Sequence, residues 1–220
     1  PGSLKLQPVL IKEIPQAIFQ DGIETYELEL LDSIRWQDGT PLTVNDIITT
    51  YKLILNPAQE AASVRSTLKN LHAVIVDNNN NKKFKLQFKG RYHLDMEAAL
   101  NIPIFQANSF NTNKSLEKYS VMQLAIAADS LMDSADSTEL VSTAANFKNA
   151  FKDFRNLNGC GAYHISDWQP GQRIILEKVK NWWGNKYGDK NKLLTAFPQK
   201  LIYLFDSLAS SQRVTLSSDD

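Results

Sequence analysis

Tyr26-Glu27-Leu28-Glu29-Leu30-Leu31-Asp32-Ser33-Ile34-Arg35-Trp36-Gln37-Asp38-Gly39-Thr40-Pro41-Leu42-Thr43-Val44-Asn45-Asp46-Ile47-Ile48 reads as a strand, a tight turn and a capped helix in one run. Tyr26, Leu28 and Leu30 share one face of an extended segment and Glu27 and Glu29 the other, the period of a half-buried strand. Asp38-Gly39 is a turn dipeptide, since glycine supplies positive φ and aspartate can hydrogen-bond its own backbone. Thr43 suits an N-cap, and Asp46 three residues on places a carboxylate among the free N–H groups of the first turn. Val44, Ile47, Ile48, Tyr51, Ile54 and Leu55 then form one apolar helix stripe, which Asn56-Pro57 ends.

A chain of 220 residues with 43% hydrophobic and 10% aromatic residues can bury a sizeable core. Its 24 basic and 24 acidic residues cancel, which argues against a nucleic-acid binder. The charges are interspersed, so no polybasic membrane-surface segment stands out. One cysteine, Cys160, excludes an internal disulfide framework and a CxxC metal site. No run of about 18 apolar residues is present to span a membrane. Pro1-Gly2-Ser3 reads as a cloning scar, from which a natural leader would have been removed.

Leu4 to Pro15 reads as extended, with Asp21-Gly22 as the next turn. After the first helix, a second is expected over Ala58 to Lys69, using Ala61, Ala62, Val64 and Leu68. His72 to Val76 and Phe84 to Phe88 form a hairpin around Asp77 to Asn81, whose asparagines tolerate left-handed conformations. A solvated loop is the stronger reading of that run than a metal or sugar site. Leu94 to Leu100 suggests a short helix, and Pro103 demotes Ile102 to Phe105 to an edge or turn. Asn111 to Asn156 is expected to be mostly helical. Leu116, Tyr119, Val121, Met122, Leu124 and Ala125 come first. A helix from Thr138 to Phe154 follows, with Ala144, Phe147, Ala150, Phe151 and Phe154 as its stripe. Asp129 to Ser137 reads as an exposed loop between them, and the two methionines of this region as core.

The second informative run is Gly159-Cys160-Gly161-Ala162-Tyr163-His164-Ile165-Ser166-Asp167-Trp168-Gln169-Pro170-Gly171-Gln172-Arg173-Ile174-Ile175-Leu176-Glu177-Lys178. Pro170-Gly171 fits the central positions of a type II turn, so two strands form a hairpin. Asn181-Trp182-Trp183-Gly184 closes it. Lys200 to Phe205 reads as a further strand, and Asp206 or Ser207 as the cap of a short helix reaching Val214.

The residues from Arg35 to Ile48 closely resemble the signature of the family 5 extracellular solute-binding proteins, the peptide-binding components of bacterial ABC importers. That signature is an aromatic followed by Asp-Gly-Thr-Pro-Leu-Thr-Ala-x-Asp-Val. Trp36, Asp38, Gly39, Thr40, Pro41, Thr43 and Asp46 match it, while Val44 replaces the usual Ala and Ile47 the usual Val. The run 159–184 resembles the family's second pattern at Gly159, Gly161, Tyr163, Pro170, Gly171, Asn181, Trp183 and Gly184. It departs at Cys160, where Thr or Ser is common, and at Ala162, where Pro is usual. The two runs stand in the family's order and at its spacing.

The resemblance implies an α+β fold in which residues 4–220 are most of the first lobe of a two-lobed, type II periplasmic-binding-protein-like architecture, without the second lobe. It implies a periplasmic or membrane-anchored extracytoplasmic protein. That protein would be a monomer without cofactor, capturing an oligopeptide or dipeptide and delivering it to ABC permease subunits. The family's ligand contacts fall outside the two matched runs, so no ligand-binding residue is named. Within the family the ligand could instead be nickel, haem, an oligosaccharide or an opine, and an accessory interaction domain is the reading from another class.

An enzyme reading finds no constellation. His72, His93 and His164 form no HExxH spacing. Cys160 and His164 as a thiol–base pair would lie about 13 Å apart on one strand face, too far for a hydrogen bond. Gly159-x-Gly161 lacks the third glycine and the following helix of a dinucleotide fingerprint. Trp36, Trp168, Trp182 and Trp183 read as packing rather than a sugar platform, and Asp38 and Asp46 as turn and cap residues rather than an acid pair.

Overall fold

The computed structural model describes residues 6–126, 128–135, 137–205 and 213–217. The chain divides into two compact units, Pro1–Asp32 with Leu42–Asn149 and Ser33–Pro41 with Ala150–Asp220. The first signature is therefore shared: its turn belongs to the second unit and its helix to the first.

In the first unit, β1 (Ala17–Gln20) and β2 (Ile23–Glu29) are joined by Asp21-Gly22, both at positive φ, 51° and 78°. Glycine and aspartate are residues that tolerate this left-handed pair, which matches the twist of a two-residue hairpin. α1 (Val44–Leu55) and the short α2 (Ala62–Thr67) precede β3 (Leu71–Asp77) and β4 (Asn80–Lys89). The four strands form an antiparallel sheet in the order β1-β2-β4-β3. From Lys82 on, β4 alternates, burying Lys82, Phe84, Leu86 and Phe88 while Lys83 and Lys85 are exposed and Gln87 half-buried, so one sheet face is the core face. Tyr26 meets Phe88 edge-on there, ring centroids 5.9 Å apart. Lys82 ends the buried row by donating to the Leu42 carbonyl.

α1 packs against β4 and α2 and also against α4 (Ala107–Phe110) and α5 (Val121–Ile126). It buries more than the expected stripe, because Thr49, Thr50 and Leu53 are inside as well. Of these, Thr50 is bonded: its hydroxyl donates to the Asp46 carbonyl and accepts the Phe105 N–H, each at 2.8 Å. Between β4 and α4 lies α3 (Asp95–Leu100); α6 (Ala128–Met132) and α7 (Ser137–Ala150) complete the unit. Phe105, Phe110 and Phe147 stack edge-to-face or tilted at 4.9–5.4 Å, tying α7 to α4.

Several expectations are corrected. Residues 6–15 form no strand; Ile11 makes an isolated bridge with Leu30, just past the end of β2. The second helix is six residues long rather than spanning Ala58 to Lys69, and buries none of them; only Leu68, just past its end, is in the core. The Asp77 to Asn81 loop shrinks to Asn78-Asn79 because both strands extend into it. Neither residue has positive φ; instead the Asp77 carboxylate accepts the Asn79 N–H. Residues 102–105 are irregular, and 111–120 are turns rather than helix. α6 occupies part of the expected Asp129 to Ser137 loop. Met122 is exposed and Met132 half-buried, since α5 turns Val121 and Leu124 inward. α7 ends at Ala150, leaving Phe151 exposed; its buried residues are Leu140, Thr143 and Ala144.

In the second unit, β5 (Tyr163–Gln169), β6 (Arg173–Lys178), β7 (Lys200–Leu204) and β8 (Arg213–Ser217) form an antiparallel meander in sequence order. Val214 stands in β8, not in a helix; the proposed cap at Asp206 or Ser207 lies outside the described residues, as do Pro1 to Ser3.

Asp46 is the polar centre of the first unit. The residue is 6% exposed, and its carboxylate accepts the Thr43 N–H on one oxygen at 2.8 Å and the Ala107 N–H on the other at 2.8 Å. Asp46→Ala strips both N–H groups of their acceptor inside the core. It is expected to cost about 2–4 kcal/mol of stability, read as a lowered urea midpoint.

Candidate functional site

The two signature runs meet in the second unit. Within the first, the Trp36 N–H donates to the Thr40 carbonyl and the Gly39 N–H to the Trp36 carbonyl, both at 2.9 Å. Arg35 and Pro41 form a bridge, and Gly39 takes φ +85°, closing a short loop. One oxygen of Asp38 accepts both the Thr40 N–H, at 2.8 Å, and the Thr40 hydroxyl, at 2.6 Å. Asp38-Gly39-Thr40 is thus self-supporting, with the carboxylate spent on its own turn.

Gln37 joins that loop to the second run. Its backbone N–H donates to the Gly159 carbonyl at 2.9 Å and its side-chain amide to the Tyr163 carbonyl at 3.3 Å. A side chain on Gly159 would stand 3.4 Å from the Gln37 amide, so glycine leaves that approach open. Ser33 and Tyr187 add a hydroxyl pair at 3.0 Å. Trp36 is buried at 3% exposure, and its indole N–H finds no hydrogen-bond partner among the described residues.

One carbonyl organises the second run. The Cys160 oxygen accepts the indole N–H of Trp182 at 3.0 Å and of Trp183 at 2.7 Å, using both lone pairs. Asn181 reaches the turn between β6 and these tryptophans at φ +57°, a conformation asparagine accepts more readily than most residues. Gly184 is demanded by space, because a Cβ there would fall 2.4 Å from the Trp182 ring. The Tyr163 hydroxyl donates to the Pro198 carbonyl at 2.9 Å, and its burial, followed by nearby Tyr203, raises its pKa. Pro170-Gly171 turns the hairpin, with Gly171 at φ +72° and the Gln172 N–H closing onto Gln169 at 3.0 Å.

Of the fifteen signature residues, Thr43 and Asp46 lie in the first unit and the other thirteen in the second. Gly161 is constrained by neither space nor φ. Trp182 and Trp183 are buried, with rings 5.4 Å apart, while Trp168 is half-buried in β5. His164 is exposed in β5, and Cys160 contributes its main chain to the indoles. Among the described residues, no three or more His, Cys, Asp or Glu converge as a metal group. The arrangement holds backbone in place. Sequence reading missed Gln37, Ser33 and Tyr187. Their partners lie far along the chain, and only the position of Gln37 inside the first run pointed to it.

A profile of the bacterial extracellular solute-binding proteins, family 5 Middle, matches residues 5–195. Curated protein sequences give no match. Among solved structures, the oligopeptide-binding protein of Thermus thermophilus, complexed with a pentapeptide, is similar with a TM-score of 0.59 and 17% identity over 90% of this chain and 33% of that one. NikZ from Campylobacter jejuni, in complex with Ni(L-His), gives 0.58 and 17% over 92% and 31%. The mannohexaose-bound periplasmic oligopeptide-binding protein of Thermotoga maritima gives 0.54 and 20% over 90% and 29%. The chain spans about a third of the length of these structures. At such identities the likeness is one of fold, here mixed helix and sheet.

Gly184→Ala drives a methyl group into the Trp182 ring. A loss of about 1–3 kcal/mol is expected, with a shift in tryptophan emission as the indoles leave the Cys160 carbonyl. Gly161→Ala, with room for a methyl group at that position, is expected to cost less than a third as much stability.

Proposed function

The chain belongs to the family 5 bacterial extracellular solute-binding proteins, and from that premise we propose that it is part of a carrier that captures peptides outside the cytoplasm for an ABC import permease. The observation that carries the proposal is the family match over residues 5–195, which takes in both signature runs. The peptide-bound Thermus protein, with a similar fold, supports peptide as the ligand class.

Residues 4–220 are then most of the first of two lobes, in keeping with a span of about a third of the similar structures. The signature residues have a scaffold role: Trp36 to Pro41 and Gly159 to Gly184 lock two distant stretches of one unit together. The chemistry is binding without turnover. A ligand touching both lobes shifts the population towards the closed form in proportion to its preference for that form. A cleft that hydrogen-bonds peptide N–H and C=O groups accepts many side chains, as strand addition does. The carrier acts in the periplasm or on the outer side of the cytoplasmic membrane, as a monomer and without cofactor.

A second reading keeps the family and changes the cargo. It is favoured by the nickel–histidine complex of the Campylobacter protein and the mannohexaose complex of the Thermotoga protein, both of the same fold.

Two measurements test the proposal. Native mass spectrometry of the natural gene product carrying this sequence should give a heterogeneous excess of a few hundred daltons, released on denaturation. A single sharp excess, or one removed by a chelator, would favour the second reading. Calorimetry of the 220-residue chain with di- to pentapeptides should give no binding at micromolar strength. Tight binding by this chain alone would sink the two-lobe account.

A further inference from the structure

The first unit carries a half-open pocket of about 540 Å³, and of the signature runs only Ile47 lines it. Segment 6–14 forms one side with Leu6 and Ile14; Tyr51 of α1, Phe84 of β4 and Leu100 of α3 are among the residues opposite. The volume falls in the range of small-molecule sites, about 300–1,000 Å³. The lining is overwhelmingly apolar, and its one deep hydroxyl is occupied, since Tyr51 donates to the Ala99 carbonyl at 3.0 Å. Apolar lining of this kind favours an apolar guest, which removes it from water.

The other polar side chains of the lining are exposed. Gln7 and Asn101 are exposed amides, and Glu97 is exposed and the single charged residue of the lining. Segment 6–14 is held to β2 and its extension at one place. There the Leu31 N–H donates to the Leu10 carbonyl at 2.9 Å, and the Lys12 N–H to the Glu29 carbonyl at 2.8 Å. The Lys12 ammonium, also near the rim in sequence, is engaged with Glu29 at 2.6 Å and Asp32 at 3.3 Å. It therefore leaves the carboxylate of Glu97 as the charge a guest would meet.

We propose that this cavity is a binding site for a small amphiphile with an unbranched apolar body and a cationic head, the body among Tyr51, Phe84 and Leu100 and the head at Glu97. An anionic head would face that carboxylate and be rejected; a neutral head would gain only the amides. The site belongs wholly to the first unit and does not depend on the peptide reading, so failure of peptide capture leaves it standing.

The test is calorimetric titration of the 220-residue chain with n-octylamine, n-octanol and n-octanoate at neutral pH. Octylamine is expected to bind saturably at one site, at least tenfold more tightly than octanoate. Lengthening it to decylamine should tighten binding about 15-fold, at about fourfold per buried methylene. Leu100→Trp, which fills the cavity, should abolish binding, and Glu97→Gln should bring amine and octanoate within about threefold. Absence of saturable octylamine binding overturns the proposal, as does equal affinity for octanoate. If Leu100→Trp fails to fold, Glu97→Gln still decides, since it alters an exposed side chain: an undiminished amine preference overturns the assignment.

Discussion

A buried carboxylate sets the geometry of the first unit. Asp46 can be buried in the core only where fixed donors meet its carboxylate, and the chain supplies them as backbone N–H groups at two helix starts, Thr43 before α1 and Ala107 at the head of α4. Once that carboxylate is satisfied, the direction of α1 and the position of the 105–110 segment are settled together. Thr50 then reinforces the same segment one turn later through Phe105. The hydrophobic packing of Phe105, Phe110 and Phe147 adds mass to an arrangement that polar groups have already aligned.

The second unit is ordered by main-chain acceptors rather than side-chain charge. Gly159, Cys160 and Tyr163 present carbonyls to Gln37 and to two indoles, and the side chains around them are selected for fitting that pattern. This accounts for the mixture of residue types in the second signature. Gly184 is required because a ring lies where its side chain would be, and Asn181 and Gly171 because the backbone turns left-handed. Cys160 can replace a threonine or serine because its service is rendered by an oxygen that every residue has.

What could be read from the sequence was what is local. β2, the turn at Asp38-Gly39, the start and end of α1 and the 163–178 hairpin all announce themselves within a few residues, through period, turn chemistry or caps. Errors arose where tertiary surroundings decide. α1 looked one-sided because Thr49 and Thr50 are polar, yet both are buried, and Thr50 is bonded to Phe105 far along the chain. Met122 looked like core by composition, but Val121 and Leu124 hold the inward face. The scaffold of the site was half legible: its glycines, prolines and tryptophans were visible as a pattern, whereas Gln37, Ser33 and Tyr187 do their work across long sequence separations.

The excursion of Ser33–Pro41 into the second unit has a temporal meaning. Gln37 and Tyr163 are separated by 126 positions, so a ribosome adding about 5–20 residues per second delivers the partner about 6–25 s after the loop. The intervening residues include 42–149, the larger part of the first unit, and the rest of that unit precedes Gln37; its sheet and helices close on shorter loops. Vectorial synthesis therefore favours a first unit that consolidates while the Trp36 loop waits as an unpaired tether, and a second unit whose assembly is the late event.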